Sequence, residues 1–143
     1  MSKPRVLIAT SRYYENITLE LEAGANEVLE AAEAVVETIE VPGALEVPGI
    51  IAMAADSAKY DGYIALGCVI RGETSHYDYV CGESARGLMD LTIQRRLAIG
   101  NGILTVENEG QALARADRKR KNKGADAANA CLAMLDLRRK FVR

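Results

Sequence analysis

Gly67-Cys68-Val69-Ile70-Arg71-Gly72-Glu73-Thr74-Ser75-His76-Tyr77-Asp78 opens as the end of a buried strand, breaks at Gly72 and restarts as a helix. The break holds an arginine, two hydroxyls and the one histidine of the chain. Strand-loop-helix junctions of this kind decide an α/β reading, because loop N–H groups and the first helical turn favour anionic ligands.

Working back from this junction, Tyr63 to Ile70 is a continuous apolar run, as is Arg5 to Thr10. Both suit central strands of a parallel sheet, covered on two faces. Val35 to Val41 is β-branched and partly alternating, which predicts a strand nearer the sheet edge. Ala98 to Val106 is the fourth strand, and Gly100-Asn101-Gly102 within it predicts a close approach by another segment.

Between the strands the period changes to that of a helix. Ile17, Leu21, Ala25, Val28, Leu29 and Ala32 form one stripe, with Glu15, Glu20, Glu22, Glu27 and Glu30 expected off the core. Ala44 to Ala58 reads as a helix if Pro48 lies in its first turn. His76 to Arg96 reads as another, with Ser75 and Asp78 resembling a capping box and Cys81, Ala85, Leu88, Met89 and Thr92 on one face. Asn108 with Gln111 caps a short helix to Ala116. A basic loop from Arg118 to Gly124 leads to the last helix, whose apolar face is Ala128, Cys131, Leu132 and Leu135.

Strand and helix alternate without a repeat or linker. The expected fold is one α/β domain over residues 1–143: a flavodoxin-like three-layer sandwich, with a four-stranded parallel sheet and helices on both faces. The chain is long enough for a true core, 143 residues at 49% hydrophobic. A net charge of -2 argues against nucleic acid as a partner. The three cysteines form no metal-binding spacing and are expected to be reduced core residues, so no metal is expected. The N-terminus enters a strand at once, and no apolar run reaches the ~18 residues of a membrane span. A cytoplasmic protein with neither signal peptide nor membrane contact is the expectation.

Tyr13, Gly43 to Glu46, Arg71 to His76 and Glu107-Asn108 each follow the carboxyl end of a strand, so they gather on the rim where open parallel sheets bind ligands. His76 there suits proton transfer near neutral pH. Gly72 to Ser75 either cradles a phosphate or simply caps a helix. It is not a P-loop, because the Gly-Lys-Ser/Thr is missing. Glu46 suits a first helical turn or a hydrogen bond to a polyol. Tyr13 suits a stacking platform or a loop anchor, and residue type does not decide either case. The basic run from Arg115 is a solvated loop from which one guanidinium can clamp a phosphate.

Taken together, Val41-Pro42-Gly43-Ala44-Leu45-Glu46-Val47-Pro48, Ala65 to Asp78, Gly102-Ile103-Leu104-Thr105-Val106-Glu107-Asn108 and Asn122-Lys123-Gly124 resemble the 6,7-dimethyl-8-ribityllumazine synthase family over essentially the whole chain. The resemblance implies condensation of 5-amino-6-(D-ribitylamino)uracil with 3,4-dihydroxy-2-butanone 4-phosphate, with loss of phosphate and water and without a cofactor. It implies proton transfer by His76, stacking of the pyrimidine on Tyr13, and contacts from Leu45 and Glu46 to the ribityl chain. Val69 and Ile70 would meet the pyrimidine, and Glu73, Thr74, Arg115 and Lys123 the phosphate. Asn101 would enter from an adjacent subunit. Asn101 and Leu45 stand where some members carry aromatics, which thins the apolar walls. Glu73 sets a carboxylate beside the phosphate unless it points outward or pairs with Arg71. The family forms pentamers and, in some members, icosahedral 60-mer shells; a pentamer is expected here. The competing expectations are a non-catalytic flavin- or lumazine-binding relative and a mainly structural shell protein.

Overall fold

The computed structural model describes residues 2–142. In chain order the elements are β1 (Arg5–Ser11), α1 (Glu15–Ala31), β2 (Val35–Val41), a 3₁₀ turn (Ala44–Glu46), α2 (Val47–Asp56), β3 (Gly62–Ile70), α3 (His76–Gln94), β4 (Ile99–Val106), α4 (Glu109–Ala116) and α5 (Lys123–Phe141). The strands form one parallel sheet in the order β2-β1-β3-β4.

Sheet order and crossover handedness together dictate the layers. From β1 the chain steps outward to β2, then returns past β1 to β3 and on to β4. Right-handed crossovers in opposite directions place their helices on opposite faces. Thus Val6, Ile8, Ile64, Leu66, Leu104 and Val106 point to α1, α4 and α5, meeting Leu21, Ala112 and Cys131. The alternate residues Leu7, Ala9, Tyr63, Ala65 and Ile99 point to α2 and α3, meeting Val47, Ile51 and Leu88. The two-residue period of each strand supplies both cores.

The inner strands β1 and β3 are buried over nearly their whole length, and β2 is an edge strand of alternating exposure, as its sequence predicts. Pro48 lies in the first turn of α2, where its missing N–H costs no hydrogen bond. Gly100 meets the expected close approach: a Cβ there would lie 1.9 Å from the Ala127 carbonyl oxygen.

Three local expectations are corrected. Glu22 is buried, because Arg12 and Thr10 satisfy its carboxylate from the end of β1. The inner stripe of α3 is Val80, Ser84 and Leu88, with Ala85 and Met89 exposed, so the helix is rotated from the face its apolar residues mark out. Ser75 makes no capping bond. Its backbone is already helical (φ -71°, ψ -1°), which turns its hydroxyl away from the free amides, and Thr74 Oγ1 accepts from the His76 N–H instead (3.2 Å). The Asn108 cap forms as expected, accepting from the Gln111 N–H at 2.9 Å.

Candidate active site

The strand order reverses between β1 and β3, and the loops leaving them diverge to opposite faces. That divergence opens a crevice at the carboxyl ends of the strands. A cavity of about 380 Å³ fills it. Tyr13, Leu45, Glu46, Val69, Ile70 and His76 all line this cavity, so six residues spread from position 13 to position 76 share one space. Tyr13 sits at the mouth, 76% exposed, its ring edge-on to Tyr14 with centroids 5.0 Å apart. Burial pushes the Tyr14 hydroxyl above its ordinary pKa.

Pairing along β3 explains why Val69 and Ile70 offer backbone groups. β1 pairs with β3 only as far as Leu66, whereas β4 continues to Ile70. Beyond Leu66 the β1-facing side of β3 therefore has no strand partner, and its polar groups are open to a ligand. Sequence reasoning missed Tyr14, Cys68 and Val80 as lining residues. Cys68 stands next to Val69 in the stretch that defines the junction, and Val80 is one turn of α3 beyond His76; their spacing was the available signal. Burial pushes the Cys68 thiol up to about 11, so it forms a wall and not a nucleophile.

His76 begins α3 and is exposed. The turn before it is tied down by Arg71, whose Nε donates to Glu107 at 2.6 Å and whose guanidinium lies 4.3 Å from the Tyr77 ring centroid. Asp78 approaches the same guanidinium at 3.6 Å. Arg71 thus pairs with Glu107 and Asp78, and Glu73 remains exposed on the turn.

Asn101, Arg115 and Lys123 lie elsewhere, together lining a second cleft of about 430 Å³ along the open edge of β4. Asn101 Oδ1 accepts from the Ile103 N–H at 3.0 Å, Arg115 donates to the Gln111 carbonyl at 3.1 Å, and Lys123 pairs with Asp126 at 3.1 Å. The two clefts have no lining residue in common. Glu73 and Thr74 line neither. One chain thus carries an apolar, aromatic-fronted cavity with a histidine, and separately a cationic cleft suited to an anion.

The chain matches known proteins over nearly its whole length. Residues 3–139 match the family model described as 6,7-dimethyl-8-ribityllumazine synthase. Similar proteins bearing that name include one from Bartonella tribocorum, 57% identical over 140 residues, with 97% of this chain and 93% of the relative covered. A second, from Novosphingobium aromaticivorans, is 57% identical over 137 residues, covering 96% and 98%. A third, from Agrobacterium fabrum, is 53% identical over 146 residues, covering 99% of each chain.

Proposed function

The chain belongs to the 6,7-dimethyl-8-ribityllumazine synthase family, and from that premise we propose that its two clefts are the halves of one active site, joined when copies of the chain assemble. The activity is that of a riboflavin-biosynthesis transferase. 5-Amino-6-(D-ribitylamino)uracil condenses with 3,4-dihydroxy-2-butanone 4-phosphate to 6,7-dimethyl-8-ribityllumazine, releasing phosphate and water.

The observation that carries the proposal is the apolar cavity lined jointly by Tyr13, Glu46, the free edge of β3 and His76. The flat pyrimidine stacks on Tyr13, an aromatic face that binds planar rings by dispersion and desolvation. Its polar edge bonds to the backbone at Val69 and Ile70. Leu45 packs on the ribityl chain, and the Glu46 carboxylate accepts from its hydroxyls. The phosphate lies between the exposed turn at Glu73 and Thr74 and the Arg115 and Lys123 side chains of the adjacent copy. Asn101 of that copy closes the wall.

His76 then moves the protons. The substrate amine attacks the ketone and water leaves to form an imine. A proton is removed from C3 as phosphate departs from C4, the resulting enol tautomerises to a new carbonyl, and the ribitylamino nitrogen attacks that carbonyl with loss of a second water to close the ring. Holding both substrates in register removes much of the entropic barrier, and effective molarities of about 10⁵ M or more show how much this is worth. The whole chain, residues 1–143, serves as one such domain. Arg120 and Lys121 are exposed and outside every ion pair among the described residues. Their repulsion opposes packing of rings into a shell, so we assign a homopentamer. The three free cysteines suit the reducing cytoplasm.

Mixing the two substrates with the protein should form fluorescent lumazine well above the uncatalysed rate. His76→Ala should lower turnover about 10²-fold with unchanged thermal stability, since the residue is exposed. Unchanged turnover in that variant would overturn the role given to His76. Sedimentation velocity distinguishes the pentamer from a shell.

A further inference from the structure

Glu22 is a carboxylate on α1 with 7% of its surface exposed, set among Ile17, Leu21 and Ala25. An unpaired charge there would be expensive. It instead accepts from Arg12 twice, from Nε at 2.8 Å and Nη2 at 2.7 Å, and from the Thr10 hydroxyl at 3.0 Å. Such a forked pair fixes the plane of the guanidinium as well as its position. The remaining nitrogen of Arg12, Nη1, lies 3.7 Å from Glu40 at the end of β2.

The neighbouring peptide is held in the same way. Thr18 Oγ1 donates to the Ser11 carbonyl at 3.1 Å, and Ser11 Oγ reaches the Pro42 carbonyl at 3.5 Å. The chain immediately before Tyr13 is therefore tied to α1 on one side and to the β2 end that leads to Leu45 and Glu46 on the other. Tyr13 itself has no such anchor. Among the described residues its one aromatic contact is the edge of Tyr14, so its placement is inherited from the backbone at Arg12. Neither Arg12 nor Glu22 lines the main cavity.

We propose that Arg12 and Glu22 are positioning residues for the pyrimidine-binding step, setting the gap between the Tyr13 loop and the Leu45–Glu46 turn. The proposal rests on Tyr13 being the stacking residue. It makes Glu22 part of substrate recognition although it touches no substrate, and it gives the buried ion pair a task beyond stability.

Initial rates with each substrate varied in turn, on Arg12→Lys, Tyr13→Ala and the double variant, test this. Lysine keeps the charge opposite Glu22 but loses the fork. Arg12→Lys should raise KM for the pyrimidine about fivefold, the ordering cost of one freed side chain. KM for the phosphate ester and kcat should stay within about twofold, since uniform binding alone is lost. On the Tyr13→Ala background the same change should add less than about twofold, because it acts through that ring. Glu22→Gln should give the same pattern, which covers the case in which Arg12→Lys fails to fold. A purely structural pair would lower stability and move neither KM, or would multiply in full with Tyr13→Ala; either result overturns the proposal. Should Tyr13→Ala leave the pyrimidine KM unchanged, the stacking role falls and the positioning role with it. Should Tyr13→Ala raise that KM while Arg12→Lys does not, the positioning role alone falls.

Discussion

Replacing Gly100 with alanine asks how closely β4 and α5 must approach for the second cleft to exist. The added Cβ would stand 1.9 Å from the Ala127 carbonyl oxygen and 2.8 Å from its carbon, where real contacts stay beyond 3.0 Å. The obstacle is helix backbone, so no rotamer change relieves it, and α5 must recede by about 1 Å. It is not free to do so: a Cβ on Gly124 would lie 2.0 Å from the Leu21 carbonyl oxygen, so the helix is pinned against α1 as well. The cost belongs at the upper end of the overpacking range, about 3 kcal/mol. For a chain of this size that lowers Tm by roughly 10 °C, measured at fixed protein concentration because assembly contributes. Ala127 and Lys123 line the second cleft, so receding α5 should raise KM for the phosphate ester more than KM for the pyrimidine. Gly82→Ala is the control: its Cβ meets nothing within 4 Å, and it should stabilise by about 0.5–1 kcal/mol. A Gly100→Ala protein with Tm within about 2 °C of the parent would refute the packing argument.

Acid stability follows from Asp61. Burial would raise its pKa, but the Arg5 N–H at 2.8 Å and the Arg5 guanidinium outweigh burial and hold the carboxyl below its ordinary 3.8. A depressed carboxyl stabilises fully above its unfolded value and loses that contribution as pH falls through the folded one. Asp61→Asn should therefore cost roughly 1 kcal/mol near neutral pH, after allowing for partial exposure, and the gap to wild type should narrow in urea titrations as pH falls below the ordinary 3.8 and through the lowered folded value. Cysteine labelling gives a further check. Burial pushes Cys68 up to about 11 and Cys131 up to about 12, so neither should react with a thiol reagent at about pH 8 until urea unfolds the chain.

The strands were legible because β1 and β3 are buried on both faces, so Val6 to Ala9 and Tyr63 to Cys68 needed no polar residue to mark a solvent side. The rim rule grouped Tyr13, Leu45, Glu46 and His76, and these four line one cavity, whereas Arg71 to Ser75 and Glu107-Asn108, grouped by the same rule, do not. Glu22 was misread because a glutamate on a helix is ordinarily solvated. Only the fold shows that Arg12, ten positions earlier, reaches it. The inner face of α3 was misread for the same reason: Ser84 is polar yet buried, and among the described residues its Oγ has no hydrogen-bond partner. Ser75 and Asp78 had the spacing of a cap, but spacing does not reveal that Ser75 already has helical φ and ψ. The separation of Asn101, Arg115 and Lys123 from the main cavity depends on β4 being an edge strand, a matter of sheet order.

The central claim is that the cavity containing His76 on one copy works with the Arg115 cleft on the next. His76→Ala disables one half and Arg115→Ala the other. Each variant assembled alone should be nearly inactive. Unfolded together in equal amounts and reassembled, they should recover roughly a quarter of wild-type turnover per chain, because in a ring of head-to-tail contacts that fraction of interfaces unites two intact halves. Mixed assemblies no more active than the sum of the separate variants would contradict the shared site.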